Sequence, residues 1–337
     1  MKTKKILDSV CHYSSVAIAG MEKNTGKTEG LNFLVKNLYK RVKVGITSIG
    51  LDGETVDQIT LTSKPEIFLY PGVVFATAEK FYKEKKFLSE VLWISDYKTN
   101  LGRLVIARAL ELGNCIIAGP HISSRLKKVL KKFKDFGVEL SLVDGSLSRL
   151  SSSSPFITDA MILSTGAALS LDISLLIKKT CYKIELLQIP EYKDINKELI
   201  ALKGALWKIS KKEIVKLPGK TALKGLNESY DSLKNGDTLY ISGALTDVFF
   251  NRLFQKKDIS NFSIIVKDYT RIFCSQENYD KFISFGGKLF VLKGTKILGV
   301  LLNPLSPSGY KLDSDKLKMD LQSKLKIPVI NVFEEEF

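Results

Sequence analysis

Lys23, Thr25, Gly26, Lys27 and Thr28 stand within Gly20-Met21-Glu22-Lys23-Asn24-Thr25-Gly26-Lys27-Thr28, a spacing suited to gripping a chain of phosphates. Phosphate binding needs backbone N–H groups that wrap the anion and a helix N-terminus that turns its partial positive charge toward it. Gly26 lets the backbone approach. Lys27 is expected to meet the β and γ oxygens, and the Thr28 hydroxyl to ligate a magnesium ion bridging them. Gly20, Lys23, Asn24 and Thr25 complete the expected cradle. One departure marks the loop as a variant: the usual GxxxxGK[ST] pattern places a glycine where Met21 stands, and here that glycine, Gly20, comes one residue early.

Such a loop works only between a strand and a helix. Val16-Ala17-Ile18-Ala19 is an apolar strand, and Leu31, Phe33, Leu34, Leu38 and Tyr39 recur at roughly helical spacing after the loop. A magnesium-organising carboxylate is then expected at the end of a neighbouring strand. Val138-Glu139-Leu140-Ser141-Leu142-Val143 reads as a strand and ends in Asp144-Gly145, a Walker B signature, with Asp144 toward the metal and Gly145 allowing close approach of the γ-phosphate. An Asp-Gly turn is common by itself; downstream of the loop, in the right order, it gains meaning. A second strand, Val42 to Ile49, leads into Gly50-Leu51-Asp52-Gly53-Glu54, where Asp52 is a further candidate for metal or water and equally a solvated turn. Arg149, in the Ser-rich stretch Ser146 to Ser154, is a candidate phosphate sensor or an exposed loop arginine.

The remaining chain alternates in the same manner. Short β-type runs are read at Ile67 to Tyr70 and Val73 to Ala76, then a helix over Thr77 to Lys85 and a strand over Val91 to Ser95. A helix is read over Leu101 to Leu112, followed by a buried strand over Cys115 to Ala118 that brings His121 to the functional edge. Ser123 to Phe136 is a basic amphipathic helix, read as the solvated outer face of a helix on a sheet; it lacks the aromatic interleaving of a nucleic-acid surface. Ile162 to Ala167 is a strand and turn leading into a helix. After a less regular stretch from about Tyr182 to Pro218, strands are read at Thr238 to Ser242, Ser263 to Val266, Leu289 to Leu292, Leu298 to Leu302 and Pro328 to Val332, without a second phosphate loop.

The fold class expected is therefore α/β: a P-loop NTPase with a doubly wound, mostly parallel sheet over residues 1–190, then a second α/β unit over 191–337 that docks a partner. Its loop Asn303 to Tyr310, with two prolines and Tyr310, is the expected contact. A length of 337 residues fits about two domains, and a net charge of +15 favours anionic partners without choosing among them. No apolar run suits a signal peptide or a membrane span, and the four cysteines lack CxxC spacing, so a cytoplasmic protein with reduced thiols is expected. The run Asn196-Lys197-Glu198-Leu199 lacks the aspartate of a guanine-reading motif, which favours ATP over GTP.

Two resemblances attach to the loop alone. The early glycine resembles the loop of dethiobiotin synthetase, and Lys23 to Thr28 resembles molybdopterin-guanine dinucleotide metallochaperones of the MobB type. A third spans nearly the whole chain: Gly20 to Thr28, Thr47 to Glu54, Val143 to Arg149, Ser164-Thr165-Gly166-Ala167 and Asn303-Pro304-x-Ser306-Pro307-x-Gly309-Tyr310 resemble the P-loop subunit of the lysine 5,6-aminomutase reactivating factor. That resemblance implies a MutS-related ATPase subunit as partner and, as client, an aminomutase dependent on adenosylcobalamin and pyridoxal phosphate. It implies that binding or hydrolysis of ATP, with magnesium, is coupled to release of damaged cobalamin; it leaves an oligomer open without fixing its state. A nucleotide-dependent ligase or metallochaperone of cofactor biosynthesis is the alternative.

Overall fold

Strands buried at every position, without alternation of buried and exposed residues, are those covered on both faces of a parallel sheet. Ser15–Gly20 and Ala160–Gly166 are of this kind, buried throughout, and they lie side by side. The computed structural model describes residues 2–49, 66–146, 154–193, 197–204, 206–210, 213–256 and 260–333. In chain order the elements are α1 (Lys2–Val10), β1 (Ser15–Gly20), α2 (Lys27–Leu38), β2 (Val44–Ser48), β3 (Ile67–Leu69), β4 (Val74–Ala78), α3 (Glu79–Glu84), β5 (Ser89–Thr99), β6 (Gly102–Ala109), β7 (Gly113–Cys115), α4 (Ser123–Asp135), β8 (Leu140–Ser146), β9 (Ala160–Gly166) and α5 (Ile173–Leu187). There follow α6 (Lys197–Ala201), β10 (Leu206–Ile209), β11 (Ile214–Lys216), α7 (Ala222–Ser229), β12 (Thr238–Ile241), β13 (Leu245–Thr246), α8 (Asp247–Leu253), β14 (Ser263–Val266), β15 (Ile272–Phe273), α9 (Gln276–Ser284), β16 (Lys288–Val291), β17 (Ile297–Asn303), α10 (Ser314–Lys324) and β18 (Val329–Asn331).

The division of the chain differs from a boundary near 190. One unit comprises Met1–Cys181 together with Lys296–Phe337, and the other Tyr182–Thr295. The physical reason is strand pairing: β17 runs parallel to β9, and β18 parallel to β17, so the C-terminal strands complete the first sheet. That sheet has nine strands in the order β18-β17-β9-β1-β8-β2-β4-β6-β5. The first seven are parallel; β6 and β5 are antiparallel additions. The Asn303 to Tyr310 segment therefore belongs to the larger unit.

Helices cover both faces of this sheet. α2 buries Leu31, Phe33, Leu34, Val35 and Leu38 in a core shared with Ile6 and Val10 of α1, Ile18, Ile46, Leu142 and Leu301. On the opposite face α4 buries Val129 and Phe133 against Val74, Ala76, Leu104 and Ile106, and Leu126 against Ile49 and Val143. Its outward lysines, Lys127, Lys128, Lys131 and Lys134, are exposed, and Lys128 pairs with Asp96 at 3.2 Å, holding that carboxyl below its ordinary range. No helix among the described residues is long and apolar enough to cross a membrane.

Two readings of local structure are corrected. The segment Leu101 to Leu112 is not helical: Gly102–Ala109 forms β6, antiparallel to β4 and β5. Its centre, Leu104 to Ala107, is buried at four consecutive positions, and burial on two faces removes the alternation that marks a strand. Cys115 to Ala118 is not a ladder strand beyond Cys115. Its backbone is satisfied by hydroxyls instead: Thr77 Oγ1 donates to Ile116 O at 2.7 Å and accepts from Ala118 N, while Ser48 Oγ donates to Ile117 O and accepts from Gly119 N.

The smaller unit has a five-stranded sheet in the order β11-β10-β12-β14-β16, its last three strands parallel and β10 antiparallel to both neighbours. The stretch read as irregular thus contributes a hairpin. Tyr240, Ile265, Leu292 and Leu199 form part of its core, and Phe250 of α8 packs on Phe282 of α9 with ring centroids 5.2 Å apart.

Candidate functional site

β1 ends at Gly20 and α2 begins at Lys27, so six residues turn the chain from the end of a strand into a helix. The turn uses two left-handed residues, Asn24 at φ 59° and Gly26 at φ 85°. Glycine takes that conformation at little cost and asparagine is among the few other residues that visit it. Gly26 occupies the N-cap of α2, and no side chain caps the helix there. Its first-turn N–H groups therefore face outward as donors at the positive end of the helix dipole.

The displaced glycine has a steric reason. A Cβ at position 20 would lie 2.6 Å from Lys27 Cδ and 2.6 Å from Thr25 Oγ1, so the Lys27 side chain folds back over Gly20. Met21 needs no such room. It is half-buried, and its N–H donates to Ser164 O at 2.9 Å. Thr25 is fully buried and donates from Oγ1 to Glu22 O at 2.9 Å, while Ser164 Oγ donates to Thr25 O. Lys23 and Asn24 are exposed; Lys27 and Thr28 are half-exposed in the first turn of α2.

Asp144 and Gly145 lie on β8, immediately beside β1. Ile18 is in register with Asp144, and Ala19 with Gly145. Alternation along β8 puts Asp144 on the same face as Leu142, the face covered by α2. On the other side of β8, Ser48 is in register with Asp144, and Ile49 N donates to Asp144 O at 3.1 Å. The loop, the first turn of α2 and the Asp144 strand end thus share one edge and one face of the sheet. Asp52, Glu54 and Arg149 lie outside the described residues. His121 is exposed just beyond Gly119-Pro120.

The donor set is one of hard oxygens, the Thr28 hydroxyl and the Asp144 carboxylate, beside a lysine and uncapped backbone N–H groups. That chemistry fits a magnesium ion with a polyphosphate. Ser164 and Asn303 also belong to this edge. Asn303, the last residue of β17, donates from Nδ2 to Asn24 O at 3.1 Å. Neither is a site residue on sequence grounds, where Asn303 opens the loop expected to meet a partner, and only the pairing of β9 with β1 and β17 brings them to the phosphate loop. No protein-family model matches the chain, and no curated protein sequence matches it.

Proposed function

We propose that the larger unit is a P-loop NTPase domain that binds ATP with magnesium, and that the chain is the nucleotide-binding subunit of a reactivating chaperone for an adenosylcobalamin-dependent lysine 5,6-aminomutase. One observation carries the reading. Each of the five motifs behind the family resemblance has residues at the carboxyl end of a strand of one sheet, namely the Gly20 to Thr28 loop, Thr47 to Ile49, Asp144-Gly145, Ser164 to Ala167 and Asn303-Pro304. Ligands of open parallel sheets bind at that edge.

In this reading Lys27 and the N–H groups at the start of α2 hold the β- and γ-phosphates. Thr28 and Asp144 hold the magnesium, which when bound offsets charge on the phosphate oxygens. Asp144 is the residue on which hydrolysis depends. Turnover, here or stimulated by a MutS-related ATPase subunit, is coupled to release of damaged cobalamin from the client. The early glycine and the Lys23 to Thr28 run support a second reading, a nucleotide-dependent ligase or metallochaperone of cofactor biosynthesis.

Calorimetric titration with magnesium-ATP and magnesium-GTP tests the first step; ATP is expected to bind more tightly. A pull-down from native lysate with and without a non-hydrolysable ATP analogue tests the second. Nucleotide-dependent capture of an aminomutase and a second ATPase subunit supports the chaperone, and capture of neither removes it.

A further inference from the structure

We infer that Asn303 is a positioning residue for the Gly20–Thr28 loop, holding it in its phosphate-binding shape before a nucleotide arrives. The inference rests on the nucleotide-binding reading above and deepens it. Asn303 is 8% exposed, and each of its polar side-chain atoms has a partner. Nδ2 donates to Asn24 O at 3.1 Å, and Oδ1 accepts from Leu305 N at 2.9 Å. Its backbone carbonyl accepts from Ala167 N at 2.9 Å, which locks the residue between β9 and the loop. A Cβ on Gly26 would come within 2.9 Å of Asn303 Cβ, so the left-handed turn rests directly on this side chain.

The consequence follows from the planar trans peptide, in which C=O and the next N–H point in opposite directions. Asn303 fixes the carbonyl of Asn24 and thereby aims the Thr25 N–H away from β17. Ser164 fixes the carbonyl of Thr25 and aims the Gly26 N–H likewise. Two consecutive peptide planes are thus set by side chains from neighbouring strands, and such oriented N–H groups form an anion-binding concavity. The hydrogen bond also holds Asn24 in its left-handed conformation, which is otherwise disfavoured.

The experiment uses the full chain with Asn303→Asp and Asn303→Ala. The first is nearly isosteric and keeps the acceptor for Leu305 N; both remove the donor to Asn24. In nucleotide-free protein, hydrogen exchange at the hydrogen-bonded amides that bracket the loop, Met21 N–H on Ser164 O and Gly30 N–H on Gly26 O, is expected to quicken by about tenfold in both variants, as one lost hydrogen bond implies, with the amides of β1 and β8 unchanged. Affinity for magnesium-triphosphate is expected to fall by a similar factor and that for adenosine to stay constant. Unchanged exchange in both variants overturns the inference. A fall in adenosine affinity equal to that for triphosphate also overturns it, because Asn303 then contacts the base. If exchange quickens but the parent protein binds neither triphosphate nor ATP, the positioning role stands and the nucleotide reading fails.

Discussion

The parallel strands of the two units end in different ways. In the larger unit β1 runs through a glycine-dependent turn into an uncapped α2; in the smaller, β12 runs through Ser242-Gly243-Ala244 and the short β13 into α8, whose N-terminus is closed by its own Thr246 hydroxyl. Thr221 and Ser275 close α7 and α9 in the same manner. The glycines differ too. A Cβ at Gly243 would meet nothing within 4 Å, whereas at Gly20 and Gly26 it would meet Lys27, Thr25 and Asn303. α3 and α4 also start without side-chain caps, on Ala78 and Ile122, but neither follows a left-handed glycine or begins with a lysine. A parallel sheet by itself does not make a site; the candidate site lies where helix donors are left open and the backbone is crowded into one shape.

That contrast breaks most readily at Lys27. Lys27→Ala is expected to lower magnesium-ATP affinity by ~100-fold or more in a calorimetric titration, because a charge-assisted contact to two phosphates is lost. Unchanged affinity would remove the nucleotide site from this loop. Asp144→Asn should act on turnover rather than binding: roughly 2 to 3 kcal/mol of added barrier, with affinity nearly intact and the magnesium dependence altered. A loss confined to binding would give Asp144 to the phosphates instead of the metal.

The smaller unit offers an alkaline counterpart. Burial pushes the Tyr240 and Tyr279 phenols up to about 12 from an ordinary 10, and drives Tyr182 higher still, beside Cys274. Folding keeps these protons on, so the stabilisation is complete below pH 10 and is lost as pH climbs from 10 through about 12. Each phenol contributes about 2 kcal/mol over that window. Absorbance titration should show phenols that ionise only as the fold opens; complete ionisation near pH 10 with the fold intact would contradict their burial.

Glycine substitutions sharpen the comparison directly. Gly26→Ala forces a side chain to φ 85° and into Asn303, at a cost of about 1 to 2 kcal/mol in chemical denaturation, and should weaken ATP binding in parallel. Gly243→Ala should change stability by less than ~0.5 kcal/mol. The smallest effect is expected at Tyr310, which is 58% exposed. Tyr310→Ala should leave melting and ATP affinity within error while reducing capture of a partner subunit, if the loop docks one. Ser306 is less suited to that experiment, since its buried hydroxyl accepts from Tyr310 N at 3.0 Å and its removal loosens the turn itself.

The sequence alone determined what short-range chemistry determines. Gly26-Lys27-Thr28 after an apolar strand announces a strand, a tight turn and a helix, and the spacing of Leu126, Val129 and Phe133 announces the buried face of α4. The position of Asp144 on a strand was legible because it follows Leu140, Leu142 and Val143. The tertiary structure decided what depends on partners distant along the chain. Leu104 to Ala107 reads the same as a buried helix or a two-sided strand until β4 and β5 flank it. The C-terminal strands could not be assigned to the first sheet, because an apolar strand carries no label for its neighbour. Asn303 joins Asn24 across 279 residues of sequence, and no local pattern encodes a hydrogen bond made by strand order.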